Sequence, residues 1–257
     1  MTASAKLSIS NGRTIEDWYE GDYNQDSPRK AVHIYWQKGY DFLKKFALGK
    51  SRGSFAIGET NKEGKPLKLL DIGCDNGILS SRLKQLGYDV YGLDIRKKEV
   101  AMARKLGIKA VLGSAEKKFP FRGNYFDAAL AGDIIEHIYD TDFFIKETHR
   151  ILKQGGVFVV TTPNIASFSN RIRLLFGKLP VGSEIKLGSD MAGHIRNYTF
   201  PELENQLRQH GFSIVKKVSS NIMFPVRYNV PFKSLAIRLG DYFPNIGSHI
   251  IIAARKQ

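Results

Sequence analysis

Apolar and polar positions follow two regular patterns along the chain. Short, almost continuously apolar runs of strand length are separated by segments whose apolar residues recur every three or four positions, which is the spacing of a helix. The predicted strands are residues 67–72, 89–95, 108–113, 125–132 and 157–163, and the predicted helices between them are residues 77–86, 97–106 and 141–153. Because such runs are typical of a parallel sheet covered on both faces, we expect a doubly wound α/β fold.

The same alternation continues to the end of the sequence. Thr199 followed by Glu202 has the spacing of a capping box, which predicts the start of another helix. Two further apolar runs, residues 211–220 and 248–256, predict the last two strands. We therefore expect residues 67–257 to form one domain with a mostly parallel, Rossmann-like sheet of seven strands.

Three stretches lie outside this alternation. Helical spacing after Pro28 predicts a helix over residues 28–48, and a polar, glycine-containing stretch follows it. Residues 1–66 are therefore interpreted as an N-terminal helical extension and linker. Residues 164–198 and 221–247 are irregular, and we expect them to be insertions that form a lid and line a substrate pocket.

Composition narrows the class of protein. Cys74 is the single cysteine of the 257 residues, which excludes an internal disulfide framework. No run reaches the 18 or more apolar residues of a membrane span, and the first residues lack the apolar centre of a signal peptide, so we expect a cytoplasmic protein without a transmembrane segment. The formal net charge is +14, and residues 165–257 carry 13 basic and 5 acidic side chains. These basic residues are mostly single or paired, which favours a solvated surface over a nucleic-acid-binding one.

The stretch "LLDIGCDNGILSSRL" has the sequence of a strand that turns sharply into a helix. Gly73 and Gly77 lack a Cβ, so the backbone amides between them can approach a ligand closely. Asp94 ends the next predicted strand, where a carboxylate accepts hydrogen bonds from both hydroxyls of a ribose. Dinucleotides and S-adenosylmethionine both fit this arrangement. The dinucleotide fingerprint has a glycine where this chain has Asp75, which disfavours a pyrophosphate.

At this point the sequence resembles the class I S-adenosylmethionine-dependent methyltransferases. "LLDIGCDNG", "VYGLDI", "GSAEKKFPF", "FDAALAGDIIEHI" and "ILKQGGVFVVTTPN" are similar to the five motifs of that superfamily, in its order and spacing. Asp75 replaces a usual glycine of the first motif. The resemblance implies S-adenosylmethionine as the cofactor, and the cofactor-binding residues that it implies are Asp71, Gly73, Cys74 and Gly77 at the methionine portion, Asp94 and Ile95 at the ribose, Ser114, Ala115 and Glu116 at the adenine, and Gly132 near the sulfonium.

The segment "DIIEH" carries candidate catalytic or metal-binding chemistry. Asp133, Glu136 and His137 have the spacing of one helical face, so together they are able to supply a base or to hold a cation. The segment resembles the E-x-x-E-H motif of ubiquinone-biosynthesis O-methyltransferases, which implies a divalent cation bound by these three residues. The alternative is that the segment only lines the cofactor pocket.

A second candidate group is "GHIRNYTFPEL". The resemblance to small-molecule methyltransferases implies that this segment borders the acceptor. His194 is then a candidate general base, with His137 as the other candidate, and Arg196 and Tyr198 are candidate substrate-binding residues. A purely structural role for His194 is the competing interpretation.

The methyl acceptor is predicted by what the sequence lacks. It has neither an N-P-P-Y type motif nor a second cysteine, which favours an oxygen atom of a small molecule over a nucleobase. The basic amphipathic segment "NRIRLLFGKLPVGS" is suited to an anionic or lipid-like acceptor or to contact with a membrane surface, with a packed lid as the alternative. Three other functions remain as alternatives: an RNA methyltransferase, a dinucleotide-dependent oxidoreductase and a non-catalytic binding protein.

Overall fold

The structure is a computed structural model that describes residues 64–183, 193–219 and 242–257, together with the backbone of two short N-terminal strands. These two strands, β1 (Ser8–Ile9) and β2 (Arg13–Thr14), pair antiparallel. The helix predicted over residues 28–48 and most of the predicted insertion 221–247 lie outside the described residues. The division of the chain at residue 66 therefore stays a prediction.

Seven strands form the central sheet. They are β3 (Lys68–Ile72), β4 (Asp89–Asp94), β5 (Lys109–Leu112), β6 (Phe126–Gly132), β7 (Leu152–Pro163), β8 (Phe212–Ser219) and β9 (His249–Lys256). Their order in space is β5-β4-β3-β6-β7-β9-β8, and β9 runs antiparallel to both of its neighbours while the other pairs are parallel. The predicted mostly parallel, doubly wound sheet of seven strands is confirmed.

Helices connect most of the strands and cover the sheet. They are α1 (Ile78–Gln85), α2 (Lys97–Lys105), α3 (Thr141–Ile151), α4 (Phe168–Leu175) and α5 (Phe200–Gln209), with short 3-10 turns at Ile135–His137 and Pro244–Ile246. Helix α3 ends two residues before its predicted end because Leu152, which is fully buried, already pairs with Phe126 of β6. None of the helices in the described part of the chain is long and apolar enough to cross a membrane.

The core lies on both faces of the sheet, which explains why its strands are apolar without alternation. Leu69 and Leu70 are neighbours on β3 and their side chains point to opposite faces, yet both are at most 1% exposed. Leu70 belongs to the apolar cluster that contains Phe144 of α3, and Leu69 to the cluster that contains Val100 of α2. Buried on both faces, the sheet holds the ends of its strands, and the loops that follow them, in fixed positions.

Candidate active site

The candidate site lies at the carboxyl ends of the parallel strands. From β3 the chain first adds β4 and β5 on one side, and it then returns to add β6 and β7 on the other side. The loops that follow β3 and β6 therefore diverge, and ligands of doubly wound sheets bind at this point. Buried polar side chains collect here: Asp71 on β3, Asp94 at the end of β4, and Glu136 after β6 are each at most 7% exposed.

The turn after β3 has a left-handed backbone at three positions, with φ of 76° at Gly73, 48° at Asp75 and 80° at Gly77. A Cβ on Gly73 would lie 2.6 Å from the Cδ1 atom of Ile134, and one on Gly77 would lie 2.7 Å from the Cα atom of Ala103. Gly77 is thus required for the packing of α1 against α2 as well as for its backbone conformation. The sequence predicts only a ligand-binding role for this glycine, because its packing role depends on the contact with α2.

Asp71 connects the end of β3 to the helix that follows this turn. Its carboxylate accepts a hydrogen bond of 2.5 Å from the hydroxyl of Ser80 in α1. Burial raises the pKa of Asp71 to about 6, the hydrogen bond from Ser80 opposes that rise, and the carboxylates of Asp94 and Asp75 add to it. Burial also raises the pKa of the neighbouring Cys74 thiol, which keeps that side chain a neutral thiol near pH 7.

Asp94 joins the loops that follow β3 and β4. One of its carboxylate oxygens accepts a hydrogen bond of 2.9 Å from the backbone N–H of Asp75, and the other accepts one of 2.8 Å from the backbone N–H of Arg96. A carboxylate has about four lone-pair positions, so these two bonds leave acceptor capacity for a ligand. Ile95, which follows it, is 70% exposed. The position and partners of Asp94 therefore fit the predicted ribose contact.

The other predicted cofactor residues lie at neighbouring strand ends. Ser114 and Ala115 follow β5, and the hydroxyl of Ser114 accepts a hydrogen bond from the backbone N–H of Glu116. The carboxylate of Glu116 accepts a hydrogen bond of 2.6 Å from the backbone N–H of Tyr139. Gly132 is the last residue of β6 and pairs with Thr161 of β7. The loop after β5 is thereby connected to the segment that follows the 3-10 turn.

Glu136, His137 and His194 form a second polar cluster beyond the end of β6. One ligand atom from each of the three side chains lies within 4.8 Å of the other two. The Nε2 atom of His194 lies 4.0 Å from the Oε1 atom of Glu136, and the two imidazole rings are 5.0 Å apart between their centroids. The backbone carbonyl of Glu136 accepts hydrogen bonds from the N–H groups of Ile195 and Arg196, which attaches the segment with His194 to the 3-10 turn.

Asp133 lies outside this cluster, which corrects the predicted ligand set. The spacing of Asp133, Glu136 and His137 predicts one helical face, but residues 135–137 form a 3-10 turn and Asp133 precedes it with φ of 50°. The carboxylate of Asp133 accepts a hydrogen bond of 2.8 Å from the hydroxyl of Thr161 instead. His194, from a distant part of the chain, takes the third position.

Glu136 is a buried carboxyl group with one oxygen available. Its side chain is 2% exposed, and its Oε2 atom accepts a hydrogen bond of 3.0 Å from the hydroxyl of Thr162. Within the described residues, no group donates a hydrogen bond to its Oε1 atom. Burial raises the pKa of Glu136 to about 8, and the carboxylate of Asp133 adds to the rise. The group is therefore mostly protonated at pH 7.

A small cleft lies beside this cluster. Its polar lining includes Glu136, His194 and Arg196, and its apolar lining includes Pro163, Ile165 and Val181. These polar and apolar groups therefore lie together beyond the carboxyl ends of β6 and β7.

Arg196 and Tyr198, which were predicted together as substrate-binding residues, lie in different surroundings. Arg196 lines the cleft and donates a hydrogen bond to the backbone carbonyl of Tyr139. The Cζ atom of its guanidinium lies 5.4 Å from the centroid of the Tyr139 ring. Tyr198 is 6% exposed within the core, and its hydroxyl donates a hydrogen bond of 3.1 Å to the side chain of Gln206. Tyr198 thus supports the segment from inside, and the predicted substrate contact is replaced by a packing role.

His249 also belongs to this region. It is the first residue of β9 and pairs with Pro163 at the carboxyl end of β7. Burial lowers its pKa, the carboxylate of Asp133 opposes that change, and His194 adds to it. No local pattern reveals this neighbourhood, because it depends on the antiparallel insertion of β9 beside β7.

The predicted lid contains helix α4. The hydroxyl of Ser167 caps its first turn, and the side chain of Asn170 accepts a hydrogen bond of 2.8 Å from the backbone N–H of Val181 at the cleft. Leu175 and Phe176 at the end of the helix are 76% and 72% exposed. The helix is therefore present, but its last apolar side chains face outward rather than packing on the domain.

Known proteins similar to this chain are consistent with the geometry. A family model described as a methyltransferase domain matches residues 70–160. A ubiquinone biosynthesis O-methyltransferase of Pelagibacter ubique is 39% identical over 116 residues, which are 43% of this chain and 48% of that protein. The chain thus spans about half the length of this curated relative.

Two solved structures share the fold. A possible histamine N-methyltransferase from Thermotoga maritima has a TM-score of 0.58 at 19% identity, and the match covers 95% of this chain and 98% of that one. The [4+2]-cyclase SpnF has a TM-score of 0.59 at 18% identity, with 91% and 85% covered. Likeness at such identities shows the fold alone, because one fold hosts many chemistries.

Proposed function

Because the chain belongs to the class I S-adenosylmethionine-dependent methyltransferases, we propose that it transfers a methyl group from S-adenosylmethionine to an oxygen atom of a small-molecule acceptor. The observation that carries the proposal is the cluster of Glu136, His137 and His194 at a cleft beside the carboxyl ends of β6 and β7. The cluster offers a proton acceptor next to the strand ends where Asp94 and the turn after β3 lie. The similarity to ubiquinone biosynthesis O-methyltransferases supports oxygen as the acceptor atom.

The residues at the ends of β3, β4 and β5 fit the cofactor. Asp94 would accept hydrogen bonds from the ribose hydroxyls. The turn that contains Gly73 and Cys74 would surround the methionine portion, and the loop with Ser114 and Ala115 would border the adenine. When bound, the cofactor supplies a methyl group already activated by its sulfonium, so the protein mainly has to align and deprotonate the acceptor.

His194 would act as the general base. An acceptor hydroxyl is mostly protonated at pH 7, and a neutral imidazole has a ring nitrogen that can accept its proton. The carboxyl group of Glu136, 4.0 Å from the Nε2 atom of His194, would orient the ring. Arg196 at the same cleft would pair with an anionic group of the acceptor.

The same three side chains also fit a divalent cation. One carboxylate oxygen and two imidazole nitrogens favour Zn²⁺ or Mn²⁺ over Mg²⁺, which prefers oxygen ligands. The metal content of the dialysed protein, measured after loading with Mn²⁺ or Zn²⁺, tests this set directly. His194→Ala should lose the bound cation, whereas the matched variant Asp133→Asn should retain it. Full transfer activity in excess chelator would contradict a cation in the reaction and leave the general-base role.

An anionic or lipid-like acceptor suits the surroundings of the cleft. Helix α4 ends at the exposed Leu175, and the exposed Phe176 follows it. Both are close in sequence to the cations of Arg173 and Lys178, and the chain then reaches Val181 in the cleft lining. This combination also favours peripheral contact with a membrane surface. Vesicle flotation with and without anionic lipid measures that contact.

The test of the function is transfer of tritium from labelled S-adenosylmethionine. We expect label to enter small molecules of a cell extract and to require both the protein and the cofactor. Label in bulk RNA alone would identify the alternative, an RNA methyltransferase. Titration calorimetry with S-adenosylhomocysteine and with NAD separates the remaining alternatives: binding of NAD alone would indicate an oxidoreductase, and cofactor binding without transfer to any acceptor would indicate a binding protein.

A further inference from the structure

An ion pair between Asp75 and Arg96 bridges the two loops that the proposed cofactor site is built from. The Nη2 atom of Arg96, after β4, contacts the Oδ1 atom of Asp75, in the turn after β3. The Nε atom of Arg96 also lies 3.6 Å from the carboxylate of Asp94, and its Nη1 atom lies 4.0 Å from the carboxylate of Glu99. Arg96 is thus a cation in contact with three carboxylates at the edge of the site.

Asp75 occupies a backbone position that costs energy for a residue with a side chain. Its φ of 48° is in the left-handed region, which glycine adopts without strain. The ion pair alone contributes little to stability, since the side chains of Asp75 and Arg96 are 54% and 58% exposed. A charged residue in a strained turn at the proposed ligand site therefore points to an electrostatic effect on the ligand.

We propose that Asp75 and Arg96 act in opposite directions on the preference of the site for the cationic substrate S-adenosylmethionine over its neutral product S-adenosylhomocysteine. This inference rests on the proposed function. The two molecules differ by the methyl group and the positive charge of the sulfonium. The carboxylate of Asp75 strengthens binding of the charged form, and the guanidinium of Arg96 opposes it. In the intact pair the two effects largely offset each other.

The effects on the preference have opposite signs for the two residues. Asp75→Asn should lower the ratio of product to substrate dissociation constants about two- to fivefold, the scale of one unit charge acting through a partly exposed site. Arg96→Gln should raise the same ratio by a similar factor. The double variant removes one charge of each sign and should return the ratio close to that of the wild type. If the pair only holds the two loops together, each single variant should instead weaken the binding of both ligands, without opposite shifts in the ratio.

Calorimetric titration of the full chain with each ligand, at low and at high salt, provides the measurement. Both ratio shifts should shrink at high salt, because solvent ions screen exposed charges. The matched control is Arg208→Gln, which removes an exposed guanidinium from α5 and should leave the ratio unchanged. Thermal unfolding of each variant establishes that the fold is retained. Wild-type binding of both ligands without opposite shifts in the variants would overturn this inference alone, whereas failure of the wild type to bind either ligand would overturn the proposed function and this inference with it.

Discussion

Replacement of Glu136 by glutamine should change how the stability of the protein depends on pH. Glutamine has nearly the same shape, and its amide oxygen can still accept the hydrogen bond from the hydroxyl of Thr162, but it does not ionise. In the wild type, burial raises the pKa of Glu136 from 4.5 to about 8. The substitution therefore removes a titrating group whose ionisation differs between the folded and unfolded states.

The sign follows from the raised pKa. Between pH 4.5 and pH 8 the folded protein holds a proton on Glu136 that the unfolded chain has lost, so folding stability falls as the pH rises through this window. The slope is at most about 1.4 kcal/mol per pH unit for one proton, so the free energy of unfolding should fall by roughly 3 kcal/mol from this group between about pH 5 and pH 8. Glu136→Gln should lack this loss and should gain on the wild type as the pH rises.

Urea unfolding at a series of pH values, with a chelator present, measures the difference in unfolding free energy between the wild type and Glu136→Gln. Glu202→Gln serves as the control because Glu202 is an exposed carboxylate on α5, and this variant should follow the wild type. A difference between the wild type and Glu136→Gln that stays constant from pH 5 to pH 8 would refute the argument from burial.

Three further outcomes are expected. Asp94→Ala should weaken binding of S-adenosylhomocysteine by about 1.5 to 3 kcal/mol while the fold persists, and unchanged affinity by calorimetry would contradict the ribose contact. His194→Ala should lower kcat at least ~10²-fold with little change in cofactor affinity, and a variant that keeps more than about a tenth of the rate would exclude the general-base role. Gly77→Ala should destabilise the protein by about 2 to 4 kcal/mol in urea unfolding, since its Cβ would lie 2.7 Å from the backbone of Ala103 and its φ is 80°. Gly155→Ala has a similar φ of 75° but nothing within 4 Å of its Cβ, so it should cost only the backbone part, about 1 to 2 kcal/mol, and equal losses for the two glycines would refute the packing argument.

The sequence was sufficient for the regular elements because their signals are local. The strands of a doubly covered sheet must be apolar on both faces, so β3 and β6 are visible as short apolar runs without knowledge of their partners. The turn after β3 is visible for the same reason, since Gly73 and Gly77 are needed where the backbone itself is left-handed. The position of Asp94 at the end of β4 is visible too, because this residue ends the next apolar run.

Local pattern was insufficient where two conformations of similar spacing compete. The positions of Asp133, Glu136 and His137 suit an α-helical face, but the chain forms a 3-10 turn, and Asp133 bonds to Thr161 of the neighbouring strand. The contact with β7 decides between the two, and it is not encoded in the five-residue segment. Likewise, Tyr198 has the polar tip of a substrate-binding residue, and only its partner Gln206 shows that it belongs to the core.

The sequence by itself thus determined the alternation of strands and helices, the turn after β3 and the acid after β4, because backbone conformation and the hydrophobic period act over a few residues. The tertiary structure alone decided which side chains share the site. It brought His194 to Glu136, placed His249 near His194, and paired Arg96 with Asp75. These contacts depend on the order of strands in the sheet and on the position of β9 beside β7. Residues far apart in the chain carry no local signal of such contacts.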